Sequence, residues 1–258
     1  MKRLHLLEVL DQAWCPQAVR DALTDYLEFV SSATKPYGPI VPVLAEALRR
    51  TGARRILDLG SGSAGPWFWL QPVLAEKGLN LTVRLTDRYP NPSVTAVVNH
   101  KSDGTISYHP EPVDATCVPG ELTGFRTLFL VFHHLRPNEA GAVLRDAVRR
   151  RQGIAVFEAT ERCVVGFLVM WLAPLMVLIL SPLIRPFRWS RLFWTYVIPL
   201  VPLITLFDGV VSSLRTYSPE ELHQLTSEIG SNDYQWEIGS LKIPRSPIPI
   251  TYLIGIPL

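Results

Sequence analysis

Residues Gly60-Ser61-Gly62-Ser63-Ala64-Gly65 carry the spacing Gly-x-Gly-x-x-Gly. Glycine at these intervals lets a backbone turn tightly and approach a bound cofactor where a side chain would collide. Taken alone, the pattern describes an ordinary strand-to-helix turn as well as a cofactor loop. Two carboxylates add information. Asp87 lies some distance beyond the loop, where a carboxylate accepts hydrogen bonds from both ribose hydroxyls of an adenosine. Asp114, within Val113-Asp114-Ala115, is placed to accept from an adenine amino group. Either acid read singly is equally a solvated loop residue, the commoner fate of Asp.

A second group of side chains is suited to proton transfer. His133 and His134 follow Phe132, and a neutral imidazole at that point would serve as a base near neutral pH. Against this stands a structural role, in which one histidine packs beneath the next helix and bonds a backbone carbonyl. Glu158, Glu161 and Arg162 form a charged cluster just ahead of an apolar stretch, either as pocket lining or as a solvated loop.

These residues need elements to hold them. Residues 17–30, after Pro16, and 40–50, before Gly52, have the three- and four-residue apolar spacing of helices. Residues 55–60 read as a buried strand running into the glycine loop. Strand-like runs recur at 81–86, 105–108, 127–132 and 153–157, separated by helical or loop-like segments, which is the pattern of a parallel sheet covered by helices on both faces. Ser218-Pro219-Glu220-Glu221 starts a further helix, with Ser as cap and Pro at the first helical position. Residues 234–238 and 250–256 read as two closing strands. The histidines then fall at the carboxyl edge of the sheet, where open α/β folds place their ligands.

In this order, Ile56-Leu57-Asp58-Leu59-Gly60-Ser61-Gly62, Asp87, Asp114 and Phe132-His133-His134-Leu135 resemble the motifs of class I S-adenosylmethionine-dependent methyltransferases over about residues 54–158. The resemblance implies an α/β fold with a doubly wound, mostly parallel seven-stranded sheet and an antiparallel last strand, here 250–256. It implies S-adenosylmethionine as cofactor and an enzyme that transfers its methyl group. By the same resemblance, Asp58 and the backbone of Gly60, Ser61, Gly62 and Gly65 face the methionine part, Asp87 the ribose, and Asp114 with Ala115 the adenine. Phe132 borders the cofactor, Tyr37 closes over its methionine end, and His133, His134 and Glu158 are the candidates for catalysis. A nicotinamide-dependent dehydrogenase would use the same loop and the same Asp87. The chain has no Tyr-x-x-x-Lys pair, and an acid after the third strand run suits adenosylmethionine better.

Composition limits the partners. The net charge of +2 over 258 residues gives no broad footprint for nucleic acid. Cys15, Cys117 and Cys163 are odd in number and far apart, which fits neither a disulfide framework nor a metal site, so reduced thiols in a cytosol are expected. Glu8 and Asp11 interrupt the apolar run that a signal peptide would need.

Residues 163–207 are dense in Leu, Val, Ile, Trp, Phe and Pro and contain no acid. Residues 164–184 form an uncharged run of 21, about the length that spans a bilayer, but Pro174 lies within it and the second run, 192–207, is shorter. The strands on either side must join one sheet, so a single crossing is excluded. Two crossings would put Arg185, Arg188 and Arg191 on the far side, against the positive-inside tendency. The expectation is therefore a shallow, re-entrant or in-plane apolar helical hairpin on the cytoplasmic face of a membrane, with these arginines at lipid phosphates and Trp171, Trp189 and Trp194 at interfacial depth. The domain plan is an N-terminal helical segment (1–52), a methyltransferase domain (53–162 and 208–258) and the insertion (163–207). The acceptor expected is hydrophobic or lipid-like. The alternatives are a soluble enzyme whose insertion is a lid or homodimer contact, and a non-catalytic membrane-bound adenosylmethionine-binding protein.

Overall fold

The structure is a computed structural model that describes residues 1–12, 14–230 and 233–258. Its chain divides into two compact units, one of residues 36–159 and 217–258, the other of residues 1–35 and 160–216. The boundaries expected at 52, 162 and 207 therefore move. The helix at 41–51 buries its apolar face against the sheet and belongs to the first unit, whereas the helix that begins at Leu200 continues through the expected break and stays in the second.

The first unit holds a seven-stranded sheet ordered β3-β2-β1-β4-β5-β7-β6. Its strands are β1 (Arg55–Leu59), β2 (Thr82–Thr86), β3 (Ile106–Tyr108), β4 (Phe125–Phe129), β5 (Ile154–Glu158), β6 (Tyr234–Leu241) and β7 (Ile250–Pro257). The first five are mutually parallel, and β7 enters antiparallel between β5 and β6. Strands β4 and β5 are buried along their whole length, as parallel strands covered on both faces must be.

Helices α2 (Val41–Thr51), α3 (Trp67–Glu76) and α4 (Pro92–Lys101) accompany one face of the sheet, and α5 (Pro137–Arg149) and α9 (Pro219–Ser227) the other. Alternation along β1 divides the side chains, with Ile56 joining the core beneath α2 and α3 while Leu57 and Leu59 join the core beneath α5 and α9. Asp58 lies on the Ile56 side, in register with Thr127 of β4. Below the site, buried Arg126 pairs with Asp146 of α5 at 2.7 Å, tying β4 to its covering helix.

Strand β4 lies upstream of its expected place at 127–132. Leu130 adopts φ 53°, a left-handed conformation that ends the extended run, and residues 132–134 form a 3-10 turn instead. Strand β6 runs to Leu241 rather than 238, because β7 pairs with it along its whole length.

The second unit is helical. It contains α1 (Gln17–Thr34), α6 (Val164–Leu180), α7 (Trp189–Leu192) with a π turn over Phe193–Val197, and α8 (Leu200–Arg215). Its core joins Val19, Ala22, Leu23 and Tyr26 of α1 to Val177, Ile184 and Val201. Arg191 is buried, bonded to Asp25 at 2.6 Å and to the carbonyls of Ile184 and Pro186 at 2.8 Å. Arg188 lies 3.6 Å from Asp25 and 3.7 Å from Asp21. The expectation that three arginines face lipid phosphates as a group is thereby corrected, since two of them bind acids of α1. At the other end, Asp208 accepts the backbone N–H groups of Val9 and Leu10, and Arg215 binds Glu8 and Asp11.

The residues 164–183 form a helix long and apolar enough to cross a membrane, yet only 17% of its most apolar window is buried. Val164, Leu168, Trp171, Leu172, Leu175 and Ile179 are all exposed along it.

Candidate functional site

The carboxyl ends of β1, β2, β4 and β5 bring together most of the residues singled out in the sequence. Asp58 is the deepest. Its carboxylate accepts hydrogen bonds from Ser61 Oγ and Thr127 Oγ1, both at 2.6 Å, and its carbonyl accepts from Thr86 Oγ1 at 2.8 Å. Ser61 N–H in turn donates to the Thr86 carbonyl at 2.9 Å. The loop is thus tied to β1, β2 and β4 at once. Complete burial of Asp58 raises its pKa to about 6, opposed by the donors Ser61 and Thr127, while the Trp67 indole N–H faces the carboxylate without reaching hydrogen-bond geometry.

The loop has an unusual backbone. Gly60, Gly62, Ala64 and Gly65 all have positive φ, and Ala64 at 88° holds a conformation that L residues disfavour. Gly60 is required on a second count, since a Cβ there would come within 2.7 Å of Val131. A Cβ at Gly62 or Gly65 would meet nothing within 4 Å, so the outward side of the loop is open to an approaching group.

Asp87 follows β2 and faces this loop. One carboxylate oxygen accepts the Gly62 N–H at 2.9 Å and the other the Tyr89 N–H at 2.8 Å. Tyr108 donates its hydroxyl to the Gly62 carbonyl at 3.0 Å, and its phenol is held well above the ordinary range by burial and then by Asp87 and Asp58. The Val113 N–H bonds the Asp87 carbonyl at 2.8 Å, so Asp114 and Ala115 lie on the segment next to Asp87. Asp114 accepts from the N–H and hydroxyl of Thr116 at 2.8 and 2.6 Å, with Arg88 at 3.9 Å; the Thr116 bonds lower its pKa.

The turn after β4 presents the histidines. His133 Nδ1 lies 2.6 Å from Glu158 Oε2, and the His133 backbone N–H donates to Oε1 at 3.2 Å. A carboxylate has no proton to give, so Nδ1 carries the proton and Nε2 is the basic nitrogen of the neutral ring. The His134 ring lies 4.2 Å from that of His133. Phe132 is fully buried against Tyr217, in the core beneath α5 and α9.

Tyr37 is buried just before α2. Its ring meets the edge of Phe129 at 5.1 Å, Phe129 meets Trp67 at 5.8 Å, and Phe129 stacks on Phe157 at 5.3 Å. Sequence reasoning missed Thr127 and Trp67. The signal for Thr127 was a second polar side chain, after Arg126, inside a fully buried strand; Trp67 had none beyond its position after the loop.

The raised pKa of Asp58 has a definite sign. Its folded value exceeds the ordinary 3.8, so the group favours the folded state most at low pH and that contribution is lost as pH rises from about 4 to about 6. A shift of about two units corresponds to at most about 3 kcal/mol. Urea unfolding from pH 4 to 7 should show Asp58→Asn gaining on the parent protein across that window by an amount of this order. Parallel stability curves would mean that the carboxyl is ionised without penalty.

No protein-family model matches the sequence, and no curated protein matches it. Solved structures do. The plantazolicin methyltransferase BpumL in complex with S-adenosylhomocysteine is 10% identical over 97% of this chain and 95% of that one, with a TM-score of 0.59. The same enzyme with a monoazolic desmethylplantazolicin analogue and S-adenosylhomocysteine gives a TM-score of 0.61 at the same coverage. Human N-acetylserotonin methyltransferase with S-adenosylmethionine is 15% identical, matching 97% of this chain and 62% of that one, with a TM-score of 0.52. Strand order, the antiparallel β7 and these likenesses agree: the chain has the fold of the class I S-adenosylmethionine-dependent methyltransferases.

Proposed function

We propose that the protein binds S-adenosylmethionine along the edge formed by the glycine loop, Asp87 and Asp114, and transfers its methyl group to a hydrophobic acceptor. The observation that carries this reading is the 2.9 Å contact between Gly62 N–H and the Asp87 carboxylate, which holds an open glycine loop against the acid suited to a ribose. Solved neighbours that share the fold are complexes with S-adenosylhomocysteine or S-adenosylmethionine.

When bound, the cofactor supplies an electrophilic methyl group. The chain's own task is to position, to exclude water and to manage a proton. The backbone around Gly60, Ser61, Gly62 and Gly65 receives the methionine part together with Asp58. Asp87 receives the ribose hydroxyls, and Asp114 with Ala115 the adenine. Glu158 orients the His133 ring, with His134 beside it, and these two side chains are the candidates for taking a proton from an acceptor hydroxyl or amine. Calorimetry with S-adenosylhomocysteine should give micromolar-order binding for the parent and at least about tenfold weaker binding for Asp87→Ala, the loss of charge-assisted bonds to a ribose. Equal binding by both proteins, or preference for a nicotinamide dinucleotide, contradicts the assignment.

The helical unit supports a membrane-surface location. The exposed row on α6, with Trp171 and Trp189 also exposed, is larger than the scattered apolar residues of an ordinary surface. The segment leaves β5 and returns to α9, both in the sheet unit, so an in-plane attachment suits it better than a span. With Arg191 and Arg188 engaged by Asp25 and Asp21, attachment rests on apolar area more than on charge. In flotation with phosphatidylcholine vesicles the intact protein should rise with the lipid at low and high salt, while a Leu168→Ser, Trp171→Ser, Leu175→Ser variant should remain below. Intact protein that is monodisperse without detergent and does not float assigns the face to a lid or a dimer contact.

A further inference from the structure

The two edges of the sheet are built differently. At one end β3 is three residues long and offers little backbone to another chain. At the other end β6 presents eight residues and, among the described strands, pairs with β7 alone. An open row of N–H and C=O groups recruits further strands, so long edges are ordinarily blunted by proline, lysine or a bulge. β6 contains neither proline nor lysine and follows β7 in unbroken register over its whole length.

The ladder identifies the groups that remain open. Leu258 N–H donates to the Asp233 carbonyl at 2.9 Å, one step beyond the pair Tyr234 and Pro257. Alternation in an antiparallel ladder then turns the backbone groups of Gln235, Glu237 and Gly239 toward β7, and those of Tyr234, Trp236, Ile238 and Ser240 outward. The larger side chains lie back over the sheet, since the Trp236 ring fills the space over Gly255 and Glu237 accepts the Tyr252 hydroxyl at 2.8 Å. On the α2 side a groove of about 210 Å³ is lined by Val43, Ala47, Ile254 and Ile256, with Gln235 and Glu237 on its strand side. Arg50 of α2 donates to Gln235 at 2.6 Å, so a guanidinium and a carboxylate stand two residues apart along the same edge.

We propose that β6 is a dimerisation strand, pairing antiparallel with β6 of a second copy about a two-fold axis at Trp236. Charge selects that centre. A two-fold axis at Glu237 would set two like charges opposite each other. An axis at Ile238 would set Glu237 opposite Gly239 and leave Arg50 without a counter-charge. With the axis at Trp236, the outward backbone groups of Tyr234, Trp236 and Ile238 meet those of Ile238, Trp236 and Tyr234 of the second copy. Glu237 then stands opposite Gln235 of the second copy and the Arg50 bonded to it, and symmetry makes this pair twice. The two seven-stranded sheets become continuous.

Sedimentation velocity of the full chain in mild detergent, which masks the exposed row of α6, tests the pairing. The parent should be a dimer in the micromolar range. Glu237→Lys and Arg50→Glu should each weaken it at least about tenfold, and the two together should restore it, as loss and return of an opposite-charge pair require. Ile238→Pro removes an outward N–H without touching the β7 ladder and should give monomer, whereas Ser240→Pro, beyond the paired stretch, should remain dimeric. The Leu168→Ser, Trp171→Ser, Leu175→Ser variant should also remain dimeric. Melting temperatures near the parent's identify each effect as local, and the charge pair alone decides if Ile238→Pro fails to fold. A monomeric parent, charge reversals without effect or without rescue, or a dimer lost only in the α6 variant overturns the assignment.

Discussion

A buried carboxylate cannot be left unsatisfied, and the site is organised around that requirement at Asp58. Ser61 and Thr127 donate to its side chain, Thr86 to its carbonyl, and Ser61 N–H closes the ring to the Thr86 carbonyl. Register makes this network available: Asp58 is level with Thr127 across β1 and β4, and β2 brings Thr86 beside Leu59. Once the loop is pinned at Ser61, Gly60 and Gly62 take conformations open to glycine, Gly62 N–H reaches Asp87, and Val131 packs against Gly60 without room for a Cβ. That packing in turn fixes the start of the turn that carries His133. The glycine loop and the turn that carries the histidines thus meet where the Val131 side chain packs on Gly60.

Much of this was legible in the sequence because parallel strands announce themselves as short apolar runs and the glycine spacing marks the loop between them. β1, β2, β3 and β5 fall within a residue or so of their expected places, as do Asp87 after β2 and Glu158 at the end of β5. What stayed hidden was set by conformation or by distance along the chain. Apolar periodicity does not register the positive φ of Leu130, so it carries β4 downstream to 132. Thr127 bonds Asp58 across 69 positions, and Arg191 finds Asp25 across 166, which no local pattern encodes. For the same reason, arginines that read as headgroup contacts proved to hold the helical unit together.

The two units follow different rules of burial. The sheet unit hides its apolar side chains on both faces, as a parallel sheet must, whereas the helical unit pairs its charges internally and leaves a row of large apolar residues outside. Dispersed exposed leucines are ordinary; the row of Val164, Leu168, Trp171, Leu172, Leu175 and Ile179 along α6 is not dispersed.

The most direct test of the account is a crystal structure of the protein with S-adenosylhomocysteine. The account predicts the ribose hydroxyls on Asp87, the adenine beside Asp114 and Ala115, and the amino-acid part turned inward over the glycine loop toward Asp58. A nucleoside bound anywhere else on the sheet, or in this groove with its ribose away from Asp87, would contradict it.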